Sequence, residues 1–323
     1  MASFAELHEA VKRSPRDVGR ITAMLKHMRS AKIRRSDVVV KYGSVALGSA
    51  SRLGDEAWSI YEQTLVAALD VDDLTLSARC EKAIHARFWV EGEGAKQSQR
   101  VLRLKGLVAE GGGKWDEALK HYGALLESNA ANAAALKREV CVLKGKGASP
   151  AAVAEALHGY VAKFQSDASA WQALGELYAS HAKFPDAIFC YEELTLFDPL
   201  AQHYHRRLGE LYYSWAAAAG DHKKDAEARY RHARKYFAKS LDLHKTGNAR
   251  AATGLLLTCA SLKLDVRGDK YDADDELNAA LGTVAATHLK AAYATANAFL
   301  QSANAALLDA HAPPYVVAKP ADP

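Results

Sequence analysis

Apolar residues recur at three- and four-residue steps along most of this 323-residue chain, which is the spacing of one face of an α-helix. Clear examples are Ile21, Met24, Leu25 and Met28, then Trp58, Tyr61, Leu65 and Leu69, and finally Leu255, Leu256, Cys259 and Leu262. No segment alternates apolar and polar residues for long enough to predict a strand. The pattern therefore predicts an all-α protein.

Capping residues predict where two of these helices begin. Ser14 and Pro15, with Asp17 three residues after the serine, predict a capping-box-like start for the helix that carries Ile21. Asp55 is expected to cap the helix that follows it.

One stretch, residues 168 to 201, carries a more specific pattern. Its first half holds Trp171, Leu174, Gly175 and Tyr178, and its second half holds Phe184, Ala187, Tyr191 and Pro199. This spacing matches the signature of the tetratricopeptide repeat (TPR), a pair of packed helices. Gly175 is expected to let the second helix pack close, with Ala187 as the matching small surface and Tyr191 filling the far end. Such a pair cannot bury its apolar face alone, so neighbouring pairs must stack on it.

Weaker copies of the pattern flank this stretch, and together they predict a right-handed α-solenoid of stacked TPR helix pairs. The upstream copy contains Leu102, Gly106, Trp115, Ala118, Tyr122 and Leu125, and the downstream copy contains Leu208, Gly209, Tyr212, Ala233, Phe237 and Leu241. The predicted domains are a basic N-terminal helical segment at 1–50, a degenerate helix pair at 51–98, the solenoid at 99–310 and a flexible, proline-rich tail at 311–323. Within the solenoid we expect clear repeats at 99–132, 168–201 and 202–245, an insertion near 216–228, and degenerate repeats at 133–167 and 246–310.

The formal net charge is only +4, but basic residues are concentrated near the N-terminus. They are Lys12, Arg13, Arg16, Arg20, Lys26, Arg29, Lys32, Arg34, Arg35 and Lys41, opposed by Asp17 and Asp37. A basic helix of this kind is suited to an anionic lipid surface or an acidic partner segment, and a solvated helix face explains it equally well. The rest of the chain mixes both signs, without a basic stripe and interleaved aromatic residues. No nucleic-acid partner is therefore predicted.

Cysteine spacing and hydropathy indicate a reducing compartment and no membrane span. The four cysteines are Cys80, Cys141, Cys190 and Cys259. They include no Cys-x-x-Cys pair and are expected to be buried free thiols. Residues 251–262 are too short to cross a bilayer, and residues 291–308 are interrupted by Asn297, Gln301 and Asn304. Because the first residues also lack the apolar core of a secretory signal, we expect a cytosolic protein.

The residues offer no catalytic constellation. His203 and His205 lie two apart, so on a helix they point to nearly opposite sides and do not easily share a metal ion. The glycine-rich segment from Gly111 to Lys114 lacks the strand and the Ser or Thr of a phosphate-binding loop. We therefore predict a protein that is not an enzyme and has no cofactor, metal site or small-molecule substrate.

Several further segments carry a resemblance of their own, and those between Leu53 and Asp70 do not belong to the generic repeat. They are Leu53 to Gln63, Ala67 to Asp70 and Asp72 to Leu74, then Glu176 to Tyr178, Phe189 to Leu194 and Lys235 to Ala238. These segments resemble subunit 2 of the endoplasmic reticulum (ER) membrane protein complex, and the first three carry most of the discrimination. The resemblance extends over roughly residues 50 to 265. The chain departs from the family at Gly92 to Gly94, at the insertion after Trp215 and in the proline-rich tail.

This resemblance implies a non-catalytic TPR scaffold bound peripherally to the cytoplasmic face of the ER membrane. In the complex, this subunit is thought to hold the cytosolic ends of the membrane-spanning subunits and to bind another soluble subunit. The complex inserts transmembrane helices, including those of tail-anchored and multi-pass proteins, into the ER membrane. The other subunits are therefore the expected partners.

In a TPR solenoid the first helices of successive repeats line a groove that binds partner segments. The groove residues expected here are Arg100, Arg103, Leu107, Gln172, Glu176, Arg206, Glu210 and Tyr213. Two other functions suit a TPR chain: a co-chaperone adaptor that binds a chaperone's C-terminal peptide, and a helical-repeat subunit of a prenyltransferase-like enzyme. The adaptor's carboxylate clamp resembles a donor set with an Asn directly after the small packing residue. Here Leu107 follows Gly106 and Glu176 follows Gly175, so neither repeat has that Asn, and the sequence argues against a clamp.

Overall fold

The computed structural model describes residues 3–90, 97–218, 223–262 and 273–311. These residues form α-helices, a short 3₁₀ helix at Ala50–Arg52 and connecting turns, with no strand among them. The prediction of an all-α protein is confirmed. Three features named from the sequence lie outside the described residues: the segment 92–94, residues 219–222 of the insertion, and the tail from residue 312 onward. The chain divides into two compact units, Met1–Lys163 and Phe164–Pro323.

The first unit is a series of helices in which each one packs on the next along the chain. They are α1 (Phe4–Arg13), α2 (Val18–Ser30), α3 (Ser36–Leu47), α4 (Glu56–Asp70), α5 (Leu74–Phe88), α6 (Gln99–Gly111), α7 (Trp115–Ser128), α8 (Ala133–Gly145) and α9 (Pro150–Lys163). The second unit contains α10 (Ala168–Ser180), α11 (Phe184–Phe197), α12 (Gln202–Ala217), α13 (Lys223–Leu243), α14 (Ala249–Ser261), α15 (Ala273–Tyr293) and α16 (Ala298–His311). We call α6, α8, α10, α12 and α14 the first helices of their pairs, and the helix after each its second helix.

The basic N-terminal helices are an integral part of the first unit. The apolar face of α2 lies in one buried cluster with Val38 and Tyr42 of α3 and Ile60 of α4. Helix α2 begins at Val18, where the Asp17 carboxylate accepts a hydrogen bond from the Arg20 amide at 3.1 Å.

The prediction of a capping-box-like helix start at Ser14 was wrong. The Ser14 amide donates to the carbonyl of Val11 at 3.1 Å, so Ser14 ends α1, and Asp17 takes the N-cap position of α2 instead. Asp55 does occupy the N-cap position of α4, but its side chain makes no capping hydrogen bond.

The pairs α6/α7, α10/α11 and α12/α13 share one contact, in which an aromatic ring of the second helix lies against a glycine of the first. The pairs of residues are Gly106 with Tyr122, Gly175 with Tyr191, and Gly209 with Phe237. A Cβ atom added at any of these glycines would overlap the ring, so only glycine permits this helix separation. The structure differs here from the expectation that Ala187 faces Gly175. The nearest atoms to a Cβ at Gly175 belong to Tyr191 and Cys190.

All four cysteines are free thiols, and three of them are buried. Burial raises the pKa of Cys80 to about 11 and those of Cys190 and Cys259 to about 12. The prediction of a buried thiol was wrong for Cys141, which is exposed. The buried residues of α8 are Ala135, Leu136, Val140 and Val142, and at the helical spacing residue 141 lies on the opposite side, facing solvent.

Candidate partner-binding grooves

The first unit contains an open cavity of about 760 Å³, which we call the first groove. It lies between the end of α2, the start of α3 and the exposed side of α4, and Arg100 at the start of α6 also lines it. Its apolar lining includes Ile33, Val39 and Val66. Five basic side chains line it, Arg29, Lys32, Arg34, Arg35 and Arg100, against the two acidic side chains Glu62 and Asp70. The first groove is therefore partly apolar and predominantly basic.

Carboxylates of α4 hold three of these arginines in place, Arg29, Arg34 and Arg100. Arg34 donates to both oxygens of Asp70, from Nε at 3.0 Å and from Nη2 at 2.6 Å, and Ser36 Oγ donates to the same carboxylate at 2.6 Å. The hydrogen bonds from Arg34 keep the pKa of Asp70 below its ordinary value. Arg29 donates to Gln63 Oε1 at 2.7 Å and forms an ion pair with Glu56. These bonds fix the guanidinium groups before any partner arrives.

Lys32 lines the first groove and has an unusual backbone conformation. Its φ angle is +53°, in the left-handed region that favours glycine. The Ile33 amide donates to the Met28 carbonyl at 2.9 Å and the Lys32 amide donates to the Arg29 carbonyl at 3.3 Å, which is the Schellman pattern at the end of α2. In the described part of the chain, the Lys32 ammonium has no ion-pair partner.

Of the groove residues expected in this unit, the structure brings Arg100 and Arg103 together on one carboxylate. Both pair with Glu62 of α4, and the Arg103 Nη2 to Glu62 Oε1 distance is 2.6 Å. Leu107, also on α6, is half-buried and packs against the apolar cluster formed by α4 and α5.

The second unit contains its own open cavity of about 700 Å³, the second groove. It lies between the first helices α12 and α14, with Tyr293 at the end of α15. Glu210 and Tyr213 of the expected set line it, together with Arg207, Arg250 and Leu257. The second groove therefore combines an aromatic and aliphatic lining with charged groups of both signs.

Glu210 is the centre of the charged groups in the second groove. It accepts from Arg207 Nη1 at 3.0 Å, and Arg250 Nε lies 2.6 Å from its carboxylate. Arg206 Nε lies farther away, at 3.6 Å. The ion pair with Arg250 joins α12 to α14, so the charged side chains of the groove are held across two first helices.

Glu176 of α10 takes part in a related arrangement. Arg207 donates to it from Nη2 at 2.6 Å and from Nε at 3.1 Å, and the Tyr191 hydroxyl also donates to it. Burial, followed by the Glu176 carboxylate, raises the pKa of Tyr191 well above its ordinary value. Gln172, one turn earlier on α10, is exposed.

The first unit repeats this arrangement with different residues. Glu110 of α6 accepts from the Tyr122 hydroxyl at 3.0 Å and from Arg138 Nε of α8 at 3.0 Å. A signal in the sequence could have revealed it, because Arg138 and Arg207 are separated by about two repeat periods, as are Tyr122 and Tyr191. Glu110, Arg138 and Arg207 were missed in the sequence analysis because one helix was considered at a time.

Among the described residues, none of the helices combines the length and the apolar character that crossing a membrane requires. The described side chains also include no group of three or more His, Cys, Asp or Glu residues placed to hold a metal ion.

Comparison with known proteins finds one matching family and several close relatives. The family model of the EMC2 TPR-like repeat domain matches residues 96–216. Subunit 2-A of the ER membrane protein complex from Xenopus laevis is 32% identical over 272 residues, which cover 83% of this chain and 84% of that protein. Subunit 2 from Xenopus tropicalis is 31% identical over 296 residues, which cover 91% of this chain and 90% of that protein.

Similarity to a solved structure supports the fold, and the fold only. The C-terminal part of a TPR repeat-containing protein from Cytophaga hutchinsonii superposes with a TM-score of 0.56 at 13% identity, covering 83% of this chain and 97% of that one. Together with the helix pairs described above, this likeness confirms the predicted TPR helical solenoid.

Proposed function

The chain belongs to the family of ER membrane protein complex subunit 2, and from this premise we propose that it is the TPR scaffold subunit of such a complex. It is peripheral, lies on the cytoplasmic face of the ER membrane and has no catalytic role of its own. It holds the cytosolic ends of the membrane-spanning subunits and binds a further soluble subunit. In this way it supports the insertion of transmembrane helices of tail-anchored and multi-pass proteins.

The observation that carries this proposal is the pair of grooves, one in each unit, along the exposed sides of helices. Each groove offers an apolar lining beside arginine side chains, and the second groove adds Tyr213 and Tyr293; arginine and tyrosine are residue types that often dominate binding energy at interfaces. Arginines that line the grooves are already held by Glu62, Asp70 and Glu210, so little side-chain entropy is lost when a partner binds. The grooves thus suit extended or helical segments that carry both apolar and acidic residues.

Arg100 lines the first groove and Arg250 lines the second, and together they provide the test of this proposal. The tagged chain is purified from detergent-solubilised ER membranes, and the membrane-spanning subunits that accompany it are quantified. Arg100→Glu with Arg250→Glu is expected to lower their recovery several-fold. Because these changes also set a second carboxylate beside Glu62 and beside Glu210, the pair Arg100→Gln with Arg250→Gln is measured in parallel and should show a smaller loss in the same direction.

A matched control places the same charge reversal elsewhere. Arg52 and Lys120 are exposed and line neither groove, so Arg52→Glu with Lys120→Glu should leave recovery unchanged. Circular dichroism establishes that each variant keeps its helix content. Full recovery of the membrane subunits with both groove variants would reject the groove assignment.

The peripheral attachment has a separate test. Washing isolated ER membranes with alkaline carbonate should release this chain while the membrane-spanning subunits stay in the bilayer. Retention of the chain in the washed membranes would contradict a peripheral scaffold.

A further inference from the structure

Helix α11 is apolar on its exposed side as well as on its buried side. It buries Ile188, Tyr191 and Leu194 in the core of the second unit. The exposed apolar residues of α11 and the turn after it are Phe189 (55% exposed), Leu196 (74%), Phe197 (46%) and Leu200 (74%). A surface helix ordinarily carries polar residues on the side away from the core, and apolar residues on both sides indicate a second covered face.

These exposed residues, Phe189, Leu196, Phe197 and Leu200, follow one another along α11 and the turn after it, and we call them the α11 outer stripe. Phe189 and Leu196 lie seven residues apart, two turns along the same helix face, and Leu200 stands in the turn that follows. The ring of Trp171 on α10 packs edge-on against Phe189, with 6.0 Å between the ring centroids. Isolated exposed apolar residues are normal on a protein surface, whereas four large ones on one helix and the turn after it indicate an interaction site.

Acidic residues accompany the stripe along its whole length. Asp186 lies before Phe189, Glu193 lies between Phe189 and Leu196, and Asp198 lies before Leu200. Asp186 and Asp198 are exposed, and Glu193 is partly exposed. None of the three forms an ion pair within the part of the chain that the structure describes. Their charges are therefore available to a partner.

We propose that the α11 outer stripe binds an amphipathic helix of a different protein, with apolar residues over Phe189 and Leu196 and with Lys or Arg residues opposite the three carboxylates. The spacing of the stripe at two helical turns matches the three-, four- and seven-residue spacing of an amphipathic helix. This interface is on a second helix and uses no residue of either groove, so it is independent of the function proposed above.

The charges distinguish this occupant from two others. In a symmetric pair of two copies the same patch meets itself, so the carboxylates of one stripe would lie against those of the other without compensating cations. An anionic lipid surface repels the same three carboxylates. A basic helix is the occupant that satisfies both the apolar and the acidic parts of the stripe.

The test places a photoreactive residue, p-benzoylphenylalanine, at position 196 of the full chain, in cells that produce it together with its natural partners. Irradiation forms a covalent adduct, and the cross-linked peptide is identified by mass spectrometry. We expect a peptide with apolar residues at three- and four-residue spacing and at least two Lys or Arg residues. Glu193→Lys in the same chain should lower the adduct yield at least fivefold, because the partner's cations are then repelled.

Two controls make the result decisive. The same photoreactive residue at position 120, an exposed polar position on the second helix α7, measures the background yield. Thermal unfolding monitored by circular dichroism should be the same with and without Glu193→Lys, since Glu193 has no intramolecular ion pair in the described residues. An adduct with a second copy of this chain, with lipid or with an acidic segment would overturn the proposal. A yield at 196 no higher than at 120 would do the same.

Discussion

Gly175 of α10 lies directly against the ring of Tyr191 of α11, so that a Cβ atom added to this glycine would come within 2.9 Å of Tyr191 Cε2 and 3.1 Å of Cδ2. Tyr191 is almost fully buried, and its hydroxyl donates to Glu176 on the same helix as the glycine. Glu176 in turn receives two hydrogen bonds from Arg207 of α12. The close approach of two helices within one repeat therefore also positions a carboxylate that holds the next repeat.

A side chain at residue 175 should destabilise this packing. Gly175→Leu is expected to lower the free energy of unfolding by about 1 to 3 kcal/mol, because the added atoms overlap a buried ring that has no free space to move into. Urea-induced unfolding followed by circular dichroism measures the change. An unchanged midpoint would contradict the close contact between Gly175 and Tyr191.

Gly123 provides the matched control for this substitution. It also lies within a helix, α7, but a Cβ atom added there meets nothing within 4 Å. Gly123→Ala should therefore raise stability by roughly 0.5 to 1 kcal/mol, because alanine restricts the unfolded chain and favours the helix. Opposite shifts for Gly175→Leu and Gly123→Ala would separate the effect of overlap from that of losing a glycine.

The cysteines give a test of burial that needs no stability measurement. In the native protein, Ellman's reagent should react with Cys141 within minutes and with the other three thiols only as the chain unfolds. Cys141 is exposed, whereas burial excludes the reagent from Cys80, Cys190 and Cys259 and raises the pKa of each. Cys141→Ser should remove the fast phase, and two or more fast thiols per chain would contradict the structure.

Periodicity and repeat spacing were sufficient to predict most of the fold. The helical period depends on neighbouring residues, and the glycine and aromatic positions of the TPR recur at fixed distances, so both can be read along the chain. The exposure of Cys141 could not be predicted in this way. Its neighbours Val140 and Val142 are apolar, so the sequence is equally compatible with a buried cysteine at position 141. Its side was decided by how α8 packs.

The grooves were less accessible to prediction, because they depend on contacts between helices that are far apart in sequence. Glu210 and Tyr213 were expected at a groove and do line one, since their helix was recognised as a first helix. Arg250 reaches Glu210 from the next first helix, α14, and no local pattern indicates that pair. The charge of Lys32 was noted as part of a basic segment, but its position in a cavity follows from the packing of α2 against α4.

An ion pair between a buried arginine and a partly exposed aspartate at the start of α15 predicts a dependence of stability on pH. Arg234 of α13 is buried, pairs with Asp274 and donates to Asn278 Oδ1 at 3.2 Å. Partial burial on its own raises the pKa of Asp274. The hydrogen bonds from Arg234 and Arg231 outweigh this effect, so the pKa lies below its ordinary value. A carboxyl group with a lowered pKa in the folded state stabilises the protein above its unfolded-state pKa, and this contribution is lost as the pH falls through its folded-state pKa.

Asp274→Asn should therefore lower the free energy of unfolding by about 1 to 2 kcal/mol at pH 7. The difference from the unsubstituted chain should begin to shrink as the pH falls below about 4, the ordinary pKa of an aspartate in the unfolded chain, and should shrink further as the pH falls through the lower folded-state pKa. Urea unfolding at a series of pH values measures both effects. Asp242→Asn is the control, because Asp242 pairs with Lys239 in an exposed position and should contribute little at any pH. A constant difference between pH 7 and pH 3 would exclude Asp274 as the titrating group.

The backbone at Lys32 allows stability and partner binding to be separated. A lysine with φ of +53° is strained relative to glycine. Lys32→Gly should therefore raise the free energy of unfolding by roughly 0.5 to 1 kcal/mol, and should also lower the recovery of membrane-spanning subunits because the first groove loses a cation.

Ala182 offers the comparison that decides how this result is interpreted. It has a φ of +55° at the end of α10, where the Lys183 amide donates to the Tyr178 carbonyl at 3.0 Å, so its backbone repeats the geometry of Lys32. It lines neither groove, so Ala182→Gly should raise stability by a similar amount without changing the recovery of partners. Thermal unfolding and co-purification are measured on both variants. If Lys32→Gly stabilises the chain and leaves co-purification intact, the Lys32 ammonium has no role in binding and the first groove binds its partner through other residues.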